Sequence, residues 1–302
     1  MTISFNDRVA IVTGGGNGLG REHCLAYARL GAKVVVNDLG GAPDGTGSST
    51  SAAQSVVDEI RAAGGEAIAN GANIAKRDEV DAMVEAAMAE WGRVDILVNN
   101  AGILRDKSFA KMELDDFQAV VDVHLMGTAN CCKAVWPIMR EQNYGRIVMT
   151  SSSSGIFGNF GQANYSAAKM AVVGLMNTLH LEGTKLDIRV NTIAPFAGTR
   201  LLEGLMPDDL LALAAPGQVT PAVLFLTSHD APSRTMMGAG AGAFSVVHIY
   251  ETNGKFLGTE GVSADDIATN WEEISSAQNE RESQNAGEQS QHFLALMQKA
   301  LG

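Results

Sequence analysis

Strand-length apolar runs alternate with helical stretches along most of this 302-residue chain, and that alternation restricts the fold more than composition does. Val9–Thr13, Lys33–Asn37, Glu66–Ala69, Ile96–Asn99, Arg146–Thr150, Arg189–Ile193 and Val246–Ile249 read as strands. Residues 18–31, 48–63, 77–91, 115–142, 162–184 and 220–228 read as helices. A strand that returns through a helix lies parallel to the strand it left, and a parallel sheet needs both faces covered. The expected fold class is α/β: a doubly wound parallel sheet of about seven strands with helices on both faces.

The turn after the first strand reads Thr13-Gly14-Gly15-Gly16-Asn17-Gly18-Leu19-Gly20. Gly14 permits the tight turn, Gly18 lets the backbone approach a pyrophosphate, and Gly20 allows close packing of helix on strand. The free N–H groups and positive dipole end of the following helix suit phosphate. Such a turn opening a helix makes the sheet Rossmann-type and points to a dinucleotide. Asp38 closes the second strand in VVVNDLGG; an acid there hydrogen-bonds the adenine-ribose 2′-OH and repels a 2′-phosphate. Neither Asn37, Leu39 nor Asn17 offers a cation for that phosphate, so the expected cofactor is NAD. Asn99-Asn100-Ala101-Gly102 after the fourth strand is small enough to lie against it.

Tyr165 and Lys169 stand at i and i+4 in NYSAAK and share one helix face. A phenol near pKa 10 is a poor acid–base group at neutral pH, and a neighbouring cation favours its phenolate. Ser152, in the serine run after RIVMT, brings a hydroxyl from a strand end. The trio can exchange a proton with a carbonyl or alcohol oxygen.

The balance of charge is −12, with no long basic block, which argues against nucleic acid. Cys24, Cys131 and Cys132 lack metal-ligand spacing and fit reduced thiols of a cytoplasmic protein. No metal is expected: His23, His180, His229, His248 and His292 form no ligand motif. There is no signal-type start, no apolar run of membrane-spanning length and no Ser-Lys-Leu ending. Leu39–Ser51 is a long Gly/Ser-rich loop of the kind that borders ligands. Residues 196–219 read as a helical lid or substrate loop. Ser263 can cap a helix, 276–291 read as polar and flexible, and His292–Leu301 is amphipathic. The domain organisation expected is 1–258 as one domain, with 259–302 a C-terminal helical extension that is not independent.

TGGGNGLG, NNAG, Ser152 and YSAAK, in that order, resemble the short-chain dehydrogenase/reductases over residues 5–250. NDLGG, NNAGILRDKSF, YGRIVMTSSSSGIFGNFGQANYSAAK, NTIAP, AGTR and MPDDL narrow the resemblance to the (3R)-hydroxyacyl-CoA dehydrogenase part of the type 2 multifunctional β-oxidation enzymes, here as a free-standing dehydrogenase. The resemblance implies that Tyr165 exchanges the proton, Lys169 lowers its pKa and contacts the nicotinamide ribose, and Ser152 holds the substrate oxygen. Gly14, Asn17, Gly18, Leu19, Gly20, Asp38, Asn73, Ile74, Asn100, Ala101, Gly102, Pro195 and Thr199 would line the cofactor. It also implies a homodimer or homotetramer built on the helices at 115–142 and 162–184, and an acyl-CoA substrate whose phosphates Arg105, Lys107 and Arg200 could meet. A hydroxysteroid or other bulky secondary alcohol is the alternative substrate, and a non-catalytic NAD-binding protein the alternative class. Three positions depart from the wider family. His124 replaces an Asn that serves the proton path to the lysine, Asn73 replaces an Asp at the adenine, and Phe196 follows Pro195 where Gly is common.

Overall fold

The computed structural model describes residues 2–49, 51–197 and 214–302. Eight strands make one sheet among them: β1 (Val9–Thr13), β2 (Lys33–Asn37), β3 (Ala67–Asn70), β4 (Ile96–Asn99), β5 (Gly145–Thr150), β6 (Ile188–Phe196), β7 (Met236–Gly240) and β8 (Ala243–Val247). Their order is β3-β2-β1-β4-β5-β6-β7-β8. The first seven are parallel. β8 comes back antiparallel through the two-residue turn Ala241-Gly242, both at positive φ (48° and 76°). The helices are α1 (Gly18–Arg29), α2 (Ser51–Ala62), α3 (Arg77–Trp91), α4 (Leu114–Val121), α5 (Gly127–Gln142), α6 (Ser153–Phe157), α7 (Ala163–Gly183), α8 (Thr220–Leu226), α9 (Ala264–Thr269), α10 (Trp271–Ile274) and α11 (Ala286–Leu301).

The apolar runs are continuous because both sheet faces are covered, and successive side chains alternate between them. Ala10, Val12, Val34, Val36, Ile96 and Val98 join a core with Cys24, Tyr27, Val56, Ile60, Val223 and Leu226 of α1, α2 and α8. Ile11, Val35, Leu97 and Ile147 are equally buried but belong to the other face, where α3, α5 and α7 pack together. The chain order reverses between β1 and β4. The connections from these strands diverge there and leave a crevice at their carboxyl ends.

The structure corrects the sequence expectations in three places. The seventh strand is Met236–Gly240, and the expected Val246–Ile249 strand is an eighth one shifted to Ala243–Val247. MMGAG carries no β-branched residue and gives no strand signal. The expected helix 115–142 is two helices joined by one π-helical turn, Asp122–Met126. In the segment expected to be flexible, α11 begins at Ala286, because Asn285 accepts a hydrogen bond from Glu288 N–H and supplies a cap. The lid expected at 196–219 falls mostly outside the described residues.

The chain divides into a unit ending at Val246 and a second unit, Val247–Gly302. Inside the second unit Ser263 and Asp266 form a capping box at α9. Thr252 Oγ1 donates to Ile274 O (2.7 Å) and Glu251 pairs antiparallel with Arg281.

Candidate active site

A cavity of about 890 Å³ opens at the strand ends and is lined by Gly14, Asp38, Asn100, Ser152, Tyr165 and Lys169 together. At its floor the turn after β1 has Gly14 at φ +64°. A Cβ built on Gly20 would fall 2.0 Å from Gly14 O, so α1 approaches β1 as only glycine allows. Thr13, fully buried, clips the turn to the next strand: its Oγ1 accepts from Asn100 N–H (3.0 Å) and Ala101 N–H (3.1 Å). Asn100 Nδ2 donates to Thr13 O (3.0 Å) and Gly14 O (3.1 Å). The sequence marked Asn100 and Ala101 but not the hydroxyl that holds them; a threonine closing the apolar strand VAIVT was the available signal.

Asp38 stands at the end of β2, where Gly16 N–H donates to Oδ2 (2.8 Å) and Gly40 N–H to Oδ1 (2.7 Å). These bonds fix the carboxylate at the rim of the cavity. Asn17, Gly18, Leu19, Asn73, Ile74, Gly102 and Pro195 also line it, whereas Gly20 serves the packing beneath. Asn73 Oδ1 accepts from Ala75 N–H (3.0 Å) and its own N–H donates to Glu79 Oε2 (2.8 Å), so its amide is also a local turn former. Thr199 and Arg200 lie outside the described residues. The glycine turn, the anchored acid and the size of the cavity fit a nicotinamide dinucleotide.

Tyr165 and Lys169 sit on α7, which starts just after the α6 turn capped by Ser152. Ser152 Oγ accepts from Ser154 N–H (3.1 Å), and its hydroxyl favours the ionised form of Tyr165. Burial pushes the Tyr165 phenol above its ordinary pKa; Ser152 opposes the rise and Asp106 adds to it. Lys169 Nζ donates to Thr150 O (2.6 Å) and lies 5.5 Å from the centre of the Tyr165 ring. Burial pushes its ammonium down to about 7. Buried Asn164 was missed: Oδ1 accepts from Tyr165 N–H (2.7 Å) and Nδ2 donates to Arg105 O (3.0 Å).

His124 occupies the π-helical turn, the sort of irregularity that recurs at functional sites. Its ring meets the Tyr165 ring edge-on, 5.1 Å between centres at 88°. Burial, then the Lys169 charge, hold it well below the usual histidine pKa. The neutral ring has Nε2 2.8 Å from Ile103 O and 3.1 Å from Ile103 N. Nε2 pairs with the Ile103 carbonyl or N–H according to the ring tautomer, and Nδ1 is buried without a protein partner.

Arg105 and Lys107, candidates for CoA phosphates, both pair with Asp116 (3.1 and 3.0 Å). Among the described residues no cluster of His, Cys, Asp and Glu could hold a metal, and no helix is long and apolar enough to cross a membrane.

A dinucleotide crevice that ends on a Ser/Tyr/Lys centre defines the class of nicotinamide-dependent dehydrogenases. The family model for short chain dehydrogenases matches residues 8–202. The peroxisomal hydratase-dehydrogenase-epimerase of Saccharomyces cerevisiae is 48% identical over 275 residues, 90% of this chain and 30% of that protein. The solved full-length peroxisomal multifunctional enzyme type 2 of Drosophila melanogaster superposes with a TM-score of 0.83 at 36% identity, covering 98% of this chain and 50% of that one. A 7α-hydroxysteroid dehydrogenase complexed with NADH and 7-oxo glycochenodeoxycholic acid gives 0.72 at 30% identity, covering 80% and 95%. The chain belongs to the short-chain dehydrogenase family, oxidoreductases acting on CH–OH groups. It spans half or less of the length of the two multifunctional proteins.

Proposed function

We propose that this protein oxidises (3R)-3-hydroxyacyl-CoA to 3-ketoacyl-CoA with NAD. The observation that carries the proposal is the single cavity in which the Asp38-flanked glycine turn meets Ser152, Tyr165 and Lys169. Gly14, Asn17, Gly18 and Leu19 would take the pyrophosphate, with Asn100, Ala101, Gly102, Ile74 and Pro195 along the rest of the cofactor and Asn73 at the adenine. Thr199 is assigned there from the family resemblance alone. Asp38 supports NAD over NADP, because a fixed carboxylate repels a 2′-phosphate. The bound nicotinamide supplies the hydride acceptor.

The chain itself handles the proton and the oxygen. Ser152 holds the substrate hydroxyl, and Tyr165 Oη, as phenolate, takes its proton. Burial raises the cost of that phenolate, and Ser152 offsets it. Lys169, held by Thr150 O, would contact the nicotinamide ribose and pass the proton onward. His124 braces Tyr165 from the side.

The acyl-CoA part rests on the sequence resemblance and on dehydrogenase relatives named for multifunctional enzymes. The steroid-binding neighbour supports a bulky secondary alcohol as the second choice. NAD⁺ reduction is measured with (3R)- and (3S)-hydroxyacyl-CoA esters and with hydroxysteroids. Turnover of the 3R ester is expected. Turnover of a free steroid alcohol alone would move the substrate to the second choice, and NADH binding without any turnover would mark a non-catalytic binder.

We assign a cytoplasmic location from the reduced, buried cysteines; "peroxisomal" is said of the relatives. The proposed assembly is a homodimer or homotetramer through the α4–α5 and α7 helices, to be measured by light scattering. In the proposed organisation 1–258 carry the chemistry and 259–302 are an extension.

A further inference from the structure

We infer that Arg105 is a positioning residue that latches the 39–49 loop across the cofactor cleft and ties the closed loop to the catalytic tyrosine. The inference rests on the dinucleotide assignment above and adds a function for a loop that composition alone describes as merely polar.

The loop is built rather than loose. Its neck is closed by Ser49 N–H donating to Leu39 O (2.8 Å), and Ala42 N–H donates to Thr46 O (2.7 Å). Asp44 Oδ1 accepts from the N–H and the hydroxyl of Thr46 (2.9 and 2.7 Å). Its first half starts beside Asp38, and its tip reaches the segment after β4. There Leu104 N–H donates to Pro43 O (3.0 Å) and Arg105 Nε to Asp44 O (3.1 Å). Leu39, Pro43 and Gly45 from the loop and Ile103, Leu104 and Arg105 from the far side line the same cavity as Gly14. The loop therefore joins the β2 side of the cleft, where adenosine would lie, to the β4 side.

Arg105 is the joint. Asp116 Oδ1 accepts from its Nη1 (3.1 Å), so the guanidinium is aimed by α4 and not by the loop it grips. Its main-chain oxygen accepts from Asn164 Nδ2 (3.0 Å), and Asn164 Oδ1 accepts from Tyr165 N–H (2.7 Å). Loop tip, arginine, buried asparagine and catalytic tyrosine form one continuous hydrogen-bonded path. A dinucleotide lying between the glycine turn and the loop cannot leave until the Pro43 and Asp44 contacts open. The latch therefore acts on cofactor exchange and leaves the proton chemistry to Ser152 and Tyr165.

Two variants test this in the full chain: Arg105→Met, which keeps the apolar stem and removes the donors, and replacement of Ala42–Thr46 by two glycines, which shortens the loop outside its neck. NADH release is followed by stopped-flow fluorescence after displacement with excess NAD⁺, alongside KM for NAD⁺ and for the alcohol and the melting temperature. In both variants NADH release should be about tenfold faster, equivalent to about 1.4 kcal/mol. KM for NAD⁺ should rise in parallel in both, with the melting temperature little changed; KM for the alcohol should be little changed in the shortened loop, which keeps Arg105. A merely structural arginine would lower the melting temperature and leave the shortened loop's release rate at the wild-type value. If Arg105→Met does not fold, the shortened loop decides. Wild-type release rates in the shortened loop overturn the latch while leaving the cofactor assignment intact. A wild-type protein that binds neither NADH nor NADPH overturns both.

Discussion

Replacing Lys169 by methionine tests the electrostatics of the catalytic centre through stability as well as through rate. Lys169 is 3% exposed, and burial takes its ammonium from the ordinary 10.5 to about 7. The unfolded chain keeps the lysine proton up to 10.5, so between about 7 and 10.5 the unfolded state binds more protons than the folded one. Wild-type stability therefore rises with pH through that window, by about 1.4 kcal/mol per pH unit from this group. Below about pH 7 both states carry the proton and the full cost of a buried ammonium is present. Methionine fills similar space, is apolar and does not titrate. The variant should be the more stable protein at about pH 7, and its advantage should shrink by about 2–3 kcal/mol by about pH 9. Loss of the bond to Thr150 O (2.6 Å) lowers the whole advantage by about 0.5–1.5 kcal/mol without altering its slope. Denaturant unfolding of both proteins at several pH values, compared pairwise, cancels every other titrating group. A gap that does not change between about pH 7 and 9 would refute the buried, easily neutralised lysine. Oxidation of the alcohol should be lost in the same variant at all these pH values.

Gly20→Ala should destabilise the protein by about 1–3 kcal/mol and abolish NADH binding, because its Cβ meets Gly14 O; calorimetry and a fluorescence titration read both. Asp38→Ala removes the fixed carboxylate, and the ratio of NADH to NADPH affinity should fall at least about tenfold. Ser152→Ala should cut kcat about a hundredfold. It should also move the ascending limb of the pH–rate profile to higher pH, since the hydroxyl is the group that favours the Tyr165 phenolate. An unmoved limb would show that the profile reports another residue.

The parts of this structure that were legible in the sequence are those where one residue type is demanded by local geometry. Gly14 and Gly20 are required by a turn and a close contact, Asp38 by its place at a strand end, and Tyr165 and Lys169 by the helix repeat. What escaped depends on contacts between distant segments. The 39–49 loop reads as a Gly/Ser-rich connection, and only the fold brings Pro43 and Asp44 to Leu104 and Arg105. Asn164 is one polar residue among several before Tyr165 until its side chain is seen to join two segments. The π-helical turn at His124 has no periodic signature, because one extra residue only shifts the phase of an otherwise regular apolar pattern. β7 was missed for want of β-branched residues, although its pairing with β6 is regular.

The most direct measurement compares wild type with Tyr165→Phe, following NADH formation from NAD⁺ and a (3R)-3-hydroxyacyl-CoA and measuring NADH binding in parallel. The substitution removes one oxygen from a half-buried ring and leaves the His124 edge contact in place. The expected result is turnover by wild type, a loss of at least about a thousandfold in the variant, and cofactor affinity within about twofold of wild type. Undiminished turnover by Tyr165→Phe would contradict the role given to this tyrosine as the group that takes the proton.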